Sequence, residues 1–475
     1  MKERGLPDYT KGPIIKALVG LSLPIVFANI LQTAYQLIDT FWVGRLGAVA
    51  VAAVSLSFPV IFLMISLGGG LAIAGTILVA QYKGQGNRWQ VDHVSGQTLL
   101  LMLVSSAAVS VLGYLISGPV MKLIGAGPEV LPEATSYLQI SFIGMVFMFG
   151  FFVFQSLMRG VGDVKTPLYI VLATVLMNLV LDPLFILGWG PVPAYGVSGA
   201  AIATVGTQGV AAVIGLFLLF SGRYGIHLKP EHLRFDLPLF KKMFNLGLPA
   251  SISQSARALG LGVMSFLVAS FGTMTVASYG IGMRIFSFII IPALGLSMAT
   301  STLVGQNLGA GHKERAGDIA KKSLQIGFVS LAVLGVILFL VARPLTAVFI
   351  PDDPAVIESG ASFVRIMALS FGFVGLGHTL LGVFTGAGDT KATMIQSILA
   401  LWVFQFPVAY ILSKHTALSA EGIWWSFPVS NVLAAAVSYI WYSTGSWKHK
   451  LVIGPEELHL RQEILEEVVV DEGIQ

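Results

Sequence analysis

Asp182 follows Asn178 by four residues inside an apolar run from about Leu168 to Leu187. An acid at the centre of a membrane helix costs roughly 2.5–3.5 kcal/mol on insertion scales, so it is kept there for a use. Spacing of four puts the amide and the carboxyl on one helix face. Pro183 removes a backbone donor and frees the carbonyl of Leu179 beside them. A second acid, Asp39, sits in the first apolar run, directly after Tyr35-Gln36-Leu37-Ile38. An amide oxygen, carboxyls and a free carbonyl suit a small hard cation or a shared proton. Thr204, in the next run, adds a hydroxyl, and Tyr35 and Gln155 extend the polar set. If the ion is sodium, Asp39, Asn178, Asp182 and Thr204 are its metal ligands; if it is a proton, the two acids serve alone. The plainer role for such residues is an Asn–Asp hydrogen bond that glues helices together.

The elements that must position these groups are legible from composition. Of 475 residues, 55% are hydrophobic and only 11% charged, and the mean hydropathy is +0.82. A soluble domain carries about 25% charge. The chain reads instead as an all-α, multi-pass membrane protein, expected in the inner (cytoplasmic) membrane. Twelve runs are long enough to span, at roughly 14–40, 51–80, 95–118, 131–158, 166–188, 196–221, 241–268, 276–305, 321–342, 357–383, 392–413 and 420–443. The polar, basic stretch Met1–Lys16 precedes a long run without a cleavage-type site, so a retained first helix is expected, not a leader. Alternate loops hold nearly all the basic residues, among them Lys83, Arg88, Lys165, Lys241, Lys313 and Lys391, which puts both termini in the cytoplasm. The 444–475 tail is acidic, and Leu458, Leu460, Ile464, Leu465 and Val468 predict a short amphipathic helix. With no cysteine, disulfides and thiolate metal sites are excluded. Loop lysines and arginines account for the +4 charge, so nucleic acid is not an expected partner.

The runs repeat. Leu23-Pro24 recurs 225 positions later as Leu248-Pro249, and Gly70, Gln81 and Gly84 recur as Gly295, Gln306 and Gly309. Gly160, Gly162-Asp163 and Lys165 recur 226 positions later as Gly386, Gly388-Asp389 and Lys391. This is a duplicated six-helix unit. Six is even, so the copies are parallel and related by a pseudo-two-fold axis along the membrane normal. The expected division is an N-terminal lobe 1–221, a linker 222–240, a C-terminal lobe 241–443 and a tail 444–475. Two lobes with a seam between them make a rocking device with its site near the midplane. The acids belong to the first lobe alone: Asp39 falls on Met264, and Asp182 on Val408. The second lobe carries Arg257, Arg284, Arg365 and His378, of which an arginine inside a membrane must pair or snorkel. Met64, Met145, Met148, Met264 and Met283 are candidate cavity walls, since thioethers adapt to varied apolar ligands.

Two six-helix lobes, Asp39-Thr40-Phe41-Trp42-Val43-Gly44, Arg159-Gly160-Val161-Gly162-Asp163, Asn178 to Pro183 and Gly388-Asp389-Thr390 together resemble the MATE (multidrug and toxic compound extrusion) transporters over about residues 10 to 445. Acids in helices 1 and 5 resemble its prokaryotic DinF-like branch. The resemblance implies that Asp39, Asn178, Asp182 and Thr204 form a cation-responsive site. It implies that Tyr35, Tyr137 and Gln155 line the same cavity, with Gln155 standing where the family has asparagine. It also implies export of small amphipathic, often cationic drugs in exchange for protons or sodium. No cofactor is expected, and the chain is expected to be a monomer in contact with membrane lipid. Pro24 and Pro249 are either bending points or ordinary N-terminal prolines.

A flippase for a lipid-like or lipid-linked substrate is the alternative, favoured by Arg257, Arg284 and Arg365 and opposed by the two acids. A membrane prenyltransferase would need clustered aspartates for magnesium, and only a fragment of such a pattern exists. No Gly-x-x-x-x-Gly-Lys-Ser/Thr loop exists to bind a nucleotide. A non-enzyme is expected.

Overall fold

Backbone in lipid must satisfy its own hydrogen bonds, and each apolar run accordingly folds as helix. The computed structural model describes residues 7–453; the amphipathic tail helix expected around Leu458–Val468 lies outside the described residues. The first lobe is built from α1 (Ile14–Gly44), α2 (Ala48–Gln85), α3 (Arg88–Ile124), α4 (Leu131–Val161), α5 (Lys165–Leu187) and α6 (Val197–Ser221). The second contains α7 (Leu237–Ala269), α8 (Thr273–Gly309), α9 (Lys313–Phe349), α10 (Pro354–Ala368), α11 (Phe371–Ala387), α12 (Thr390–Ile398), α13 (Phe406–Lys414) and α14 (Ala420–Ser443). The tenth span is the pair α10 and α11, bent by 53°. The eleventh is α12 and α13, joined by a π-helical stretch over Leu399–Gln405. Twelve spans result among the described residues, in two lobes of six.

The sequence read span ten as one run and span eleven as regular helix. The bend falls at Leu369–Ser370, neither of them proline or glycine, with Arg365 shortly before it and Gly372 shortly after. Pro24 and Pro249 lie well inside α1 and α7, so neither is an N-terminal proline.

The repeated Gly-Asp pair makes a helix-to-helix turn in each lobe. Gly162 ends α4 at φ +91°, and Gly388 ends α11 at φ +84°. The next residue then caps the following helix. Asp163 Oδ1 accepts from the Lys165 and Thr166 amides, both at 3.1 Å, and Asp389 Oδ1 accepts from the Ala392 amide at 3.3 Å. These two acids, conspicuous in the sequence, are thus spoken for by backbone donors.

The lobes meet through α2 against α7 and α1 against α8. The contacts obey the repeat: Gly70 lies against Ser251, and Gly295 against Val26, where a Cβ on either glycine would collide. At the end of the bundle where the described residues begin and end, Gln81 Nε2 donates to the Gly386 carbonyl at 3.2 Å and Gln306 Nε2 to the Gly160 carbonyl at 2.9 Å. Each glutamine reaches across the seam to the glycine of the other copy. The terminal segments close over the same end: Arg315 Nη2 donates to the Gly12 carbonyl at 2.8 Å, and the Val452 amide to Gln81 Oε1 at 3.2 Å. The linker is pinned to α3 by Gln97, whose Nε2 donates to the carbonyls of His232 and Arg234 at 3.0 and 2.6 Å.

Candidate functional site

α1, α2, α4, α5 and α6 enclose a cavity of about 200 Å³ in the first lobe. Asp39, Tyr35, Tyr137, Met145, Met148 and Thr204 line it, six residues that the sequence had pointed to. Residues at spacings of three and four fix its α1 wall: Gln32, Tyr35, Gln36 and Asp39 all face it. Tyr35 is held by a hydrogen bond of 2.7 Å between its hydroxyl and Thr207 Oγ1, and Thr207 in turn donates to the Thr204 carbonyl at 2.9 Å. Gln32, Gln36 and Thr207 were not singled out from sequence. Their signal was present, since each lies three or four residues from a residue that was.

Asn178 and Asp182 sit behind the cavity wall. Both are fully buried on α5, and Asn178 Nδ2 donates to Asp182 Oδ1 at 2.6 Å. The hydrogen bond runs within one helix, so the pair does not glue two helices together. Asp182 and Asp39 are near enough to act on one another electrostatically. Asp182 Oδ2, Asn178 Oδ1 and Asp39 Oδ1 are each withdrawn from solvent without a hydrogen-bond partner among the described residues. Buried polar atoms are nearly always paired. All three are acceptors, so a proton or a hard cation is the chemistry that matches them.

The remaining candidates are placed elsewhere. Gln155 is half-buried on α4 and lines neither this cavity nor the second one described below. Met64 packs on the first lobe's core. Met264 is buried in the second lobe's core, 2% exposed, and Met283 packs against the same cluster. These three methionines face helix neighbours because an apolar side chain on a membrane helix has three apolar destinations, and only one of them is a cavity.

A second cavity, of about 120 Å³, lies between α7, α8, α11, α12 and the inner parts of α2 and α4. It joins Arg257 and His378 to Arg159, which the sequence had placed only in a turn motif. Arg257 Nη2 donates to Ser397 Oγ at 3.2 Å, and Ser397 also bonds Ser253 at 2.6 Å. Arg365 lies apart, paired with Glu358 at 3.6 Å, and Arg284 is exposed.

The MatE family model matches residues 24–184 and again residues 249–411, two stretches in the register of the internal repeat. The chain is 29% identical over 448 residues to the probable multidrug resistance protein YpnP of Bacillus subtilis, covering 93% of this chain and 97% of that one. It is 27% identical to a FAD transporter of Shewanella oneidensis, over 92% and 96% of the two chains. An outward-facing structure of a multidrug resistance MATE family transporter superimposes with a TM-score of 0.88 at 25% identity, covering 95% of this chain and all of that one. A duplicated membrane fold, matched twice by one family model and along more than nine-tenths of its length by its relatives, makes this multi-pass chain a member of the MATE family of multidrug-efflux transporters.

Proposed function

We propose that the protein is a cation-coupled antiporter that exports amphipathic, often cationic solutes by alternating access, as in the DinF-like branch. The observation that carries this reading is the set of three unpartnered acceptor oxygens on Asp39, Asn178 and Asp182, at and behind one first-lobe cavity. A coupling ion, sodium or proton, is cargo in this scheme. Thr204 supplies a hydroxyl at the cavity wall, and Tyr35 and Tyr137 offer ring faces to a cationic solute. Ion and solute compete for the same carboxyls, which makes their movements opposite in direction. With both termini cytoplasmic, the glutamine contacts across the seam close the cytoplasmic end, and the first-lobe cavity faces outward. One charge crossing 100 mV is worth about 2.3 kcal/mol, enough for more than tenfold accumulation in an electrogenic exchange.

The test is efflux of a fluorescent cation from proteoliposomes, with proton and sodium gradients imposed separately. Efflux driven by one gradient and lost in Asp182→Asn establishes coupled antiport and names the ion. Efflux that ignores both gradients, from inserted and folded protein, refutes it. The basic second cavity keeps a second reading in view, movement of a lipid-like substrate with an anionic headgroup, and one relative is named a transporter of FAD, itself an anion.

A further inference from the structure

The two cavities differ in sign at positions related by the repeat. Arg257 is the counterpart of Gln32, and His378 of Phe152. In the first lobe Gln32 shares its cavity with Asp39; in the second, Arg257 shares its cavity with Arg159 and His378 and with no acid among the described residues. Arg159 makes no side-chain hydrogen bond or ion pair among the described residues, and Arg257 makes one, to a neutral serine. Each guanidinium has five donors in a planar fork. By contrast Arg365, at the margin of the same lobe, has its carboxylate in Glu358. A half-buried guanidinium without a counter-charge is costly, and two of them at one cavity are costlier. Hydroxyls of Ser297, Ser301 and Thr385 also line it. The space is large enough for several waters or for one oxyanion group.

We propose that this second cavity binds the phosphate or carboxylate of an amphipathic anion between Arg159 of the first lobe and Arg257 of the second. Forked donors on both sides suit the paired oxygens of such a group. Because the two arginines come from different lobes, the bound anion bridges the seam and its affinity depends on how the lobes stand. The apolar part of the solute has Leu294, Met298 and Leu381 to lie against. The proposal rests on the reading of the chain as a solute exporter and adds to it a substrate class opposite in charge to the cations expected at Asp39. A lipid headgroup and a soluble phosphate ester share this chemistry.

Binding is measured by calorimetry on the full chain in nanodiscs, with 1-naphthyl phosphate as the soluble probe, dioctanoyl phosphatidic acid as the lipid probe and dodecyltrimethylammonium as the cationic control. Arg159→Gln and Arg257→Gln are each expected to weaken at least one phosphate probe tenfold or more, with the cation changed less than twofold. Ser297→Asp, which sets a carboxylate in the cavity while leaving both arginines, is expected to do the same and serves if an arginine variant does not fold. Dependence confined to the phosphatidate assigns the site to a lipid headgroup; dependence confined to naphthyl phosphate assigns it to a soluble ester. Failure of both phosphates to bind, or affinities alike within twofold in wild type and all folded variants, overturns the proposal. Gradient-driven cation efflux, with its loss in Asp182→Asn, is read on the same preparations. An intact efflux with arginine-independent phosphate binding refutes the anion site and spares the antiport reading; the converse pattern refutes antiport and spares the site.

Discussion

At the residue scale, Asp182 has a single donor among the described residues. Its Oδ1 takes the Asn178 amide at 2.6 Å, and both side chains are fully buried. Removing that donor leaves a buried carboxyl with nothing to replace it, at a cost of about 1–3 kcal/mol. Asn178→Ala is therefore expected to lower the thermal unfolding midpoint, read by intrinsic tryptophan fluorescence. Asp182→Asn still offers an oxygen to Asn178, so its midpoint should stay near wild type while the proposed coupled efflux is lost. Equal midpoints for Asn178→Ala and wild type would show that the hydrogen bond contributes nothing. Asp39, Asn178 and Asp182 were legible from sequence because a polar group in an apolar run stands out by its cost alone. The cavity methionines were legible only in part. Met145 and Met148 face the first cavity while Met264 is core, and nothing in an apolar residue's identity separates lipid, core and cavity. Arg159 was passed over for the opposite reason, being absorbed into a motif whose glycines and aspartate explained it without the guanidinium.

At the scale of elements, the Gly-Asp turns show how a motif that looks chemical serves architecture. Gly162 and Gly86 both end helices at positive φ, +91° and +76°. A side chain at either position meets the left-handed penalty of about 1–2 kcal/mol. Only at Gly162 would the new Cβ also press on the Tyr9 ring, at 2.6 Å, whereas Gly86 opens onto free space. Gly162→Ala is expected to destabilise more than Gly86→Ala, and equal unfolding midpoints would remove the role assigned to the Tyr9 contact. The linker offers a pH-dependent case. Asp236 caps α7 by accepting the Leu239 amide at 3.0 Å and meets His93 at 3.1 Å. The Leu239 hydrogen bond foremost, with His93 adding to it, holds its carboxyl below the ordinary value of 3.8 despite some burial. Its stabilising effect is therefore present above that value and fades as pH falls through the lower folded one. Asp236→Ala should unfold at lower temperature than wild type at neutral pH, with the gap closing below about pH 4. A gap that persists unchanged in acid would exclude the charged cap as its cause. Spans and turns were readable because length, apolarity, glycine and aspartate each carry a local meaning. The bend at Leu369–Ser370 and the π-helical stretch over Leu399–Gln405 were not: none of these residues is proline or glycine, and the bend lies where α10 and α11 pack on α8, α9 and α14, the π-helical stretch where it packs on α7 and α14. Trp402 Nε1, within that stretch, donates to the Ala256 carbonyl of α7 at 3.2 Å, beside Arg257.

At the scale of the whole molecule, the repeat told which residues correspond but not which of them touch. Gln81 matches Gln306 and Gly160 matches Gly386, yet each glutamine bonds the glycine of the opposite copy, a pairing visible only once the lobes are assembled. Gly84 and Gly309 let the two helix ends approach there, each lying against the backbone carbonyl of the other copy's glutamine. A hydrogen bond of this kind contributes about 0.5–1.5 kcal/mol net, so the pair is worth about 1–3 kcal/mol. That is the size of free energy that moves a two-state equilibrium roughly 5- to 150-fold. In the proposed alternating-access cycle this end must open, and both contacts must then break together, because the axis makes them equivalent. Gln81→Ala with Gln306→Ala should therefore raise the population open at this end, and each single change should do so to a smaller, similar degree. The chain has no cysteine, so spin labels go only where they are placed. Lys165 and Lys391, exposed repeat mates on the two lobes at this end, are suitable positions as Lys165→Cys and Lys391→Cys. Electron–electron distance measurements should then show a longer-distance population growing from wild type through either single variant to the double. A distribution unchanged in the double variant would mean that the glutamines fill the seam without holding it. Closure would then rest on the glycine-lined contact of α2 and α8.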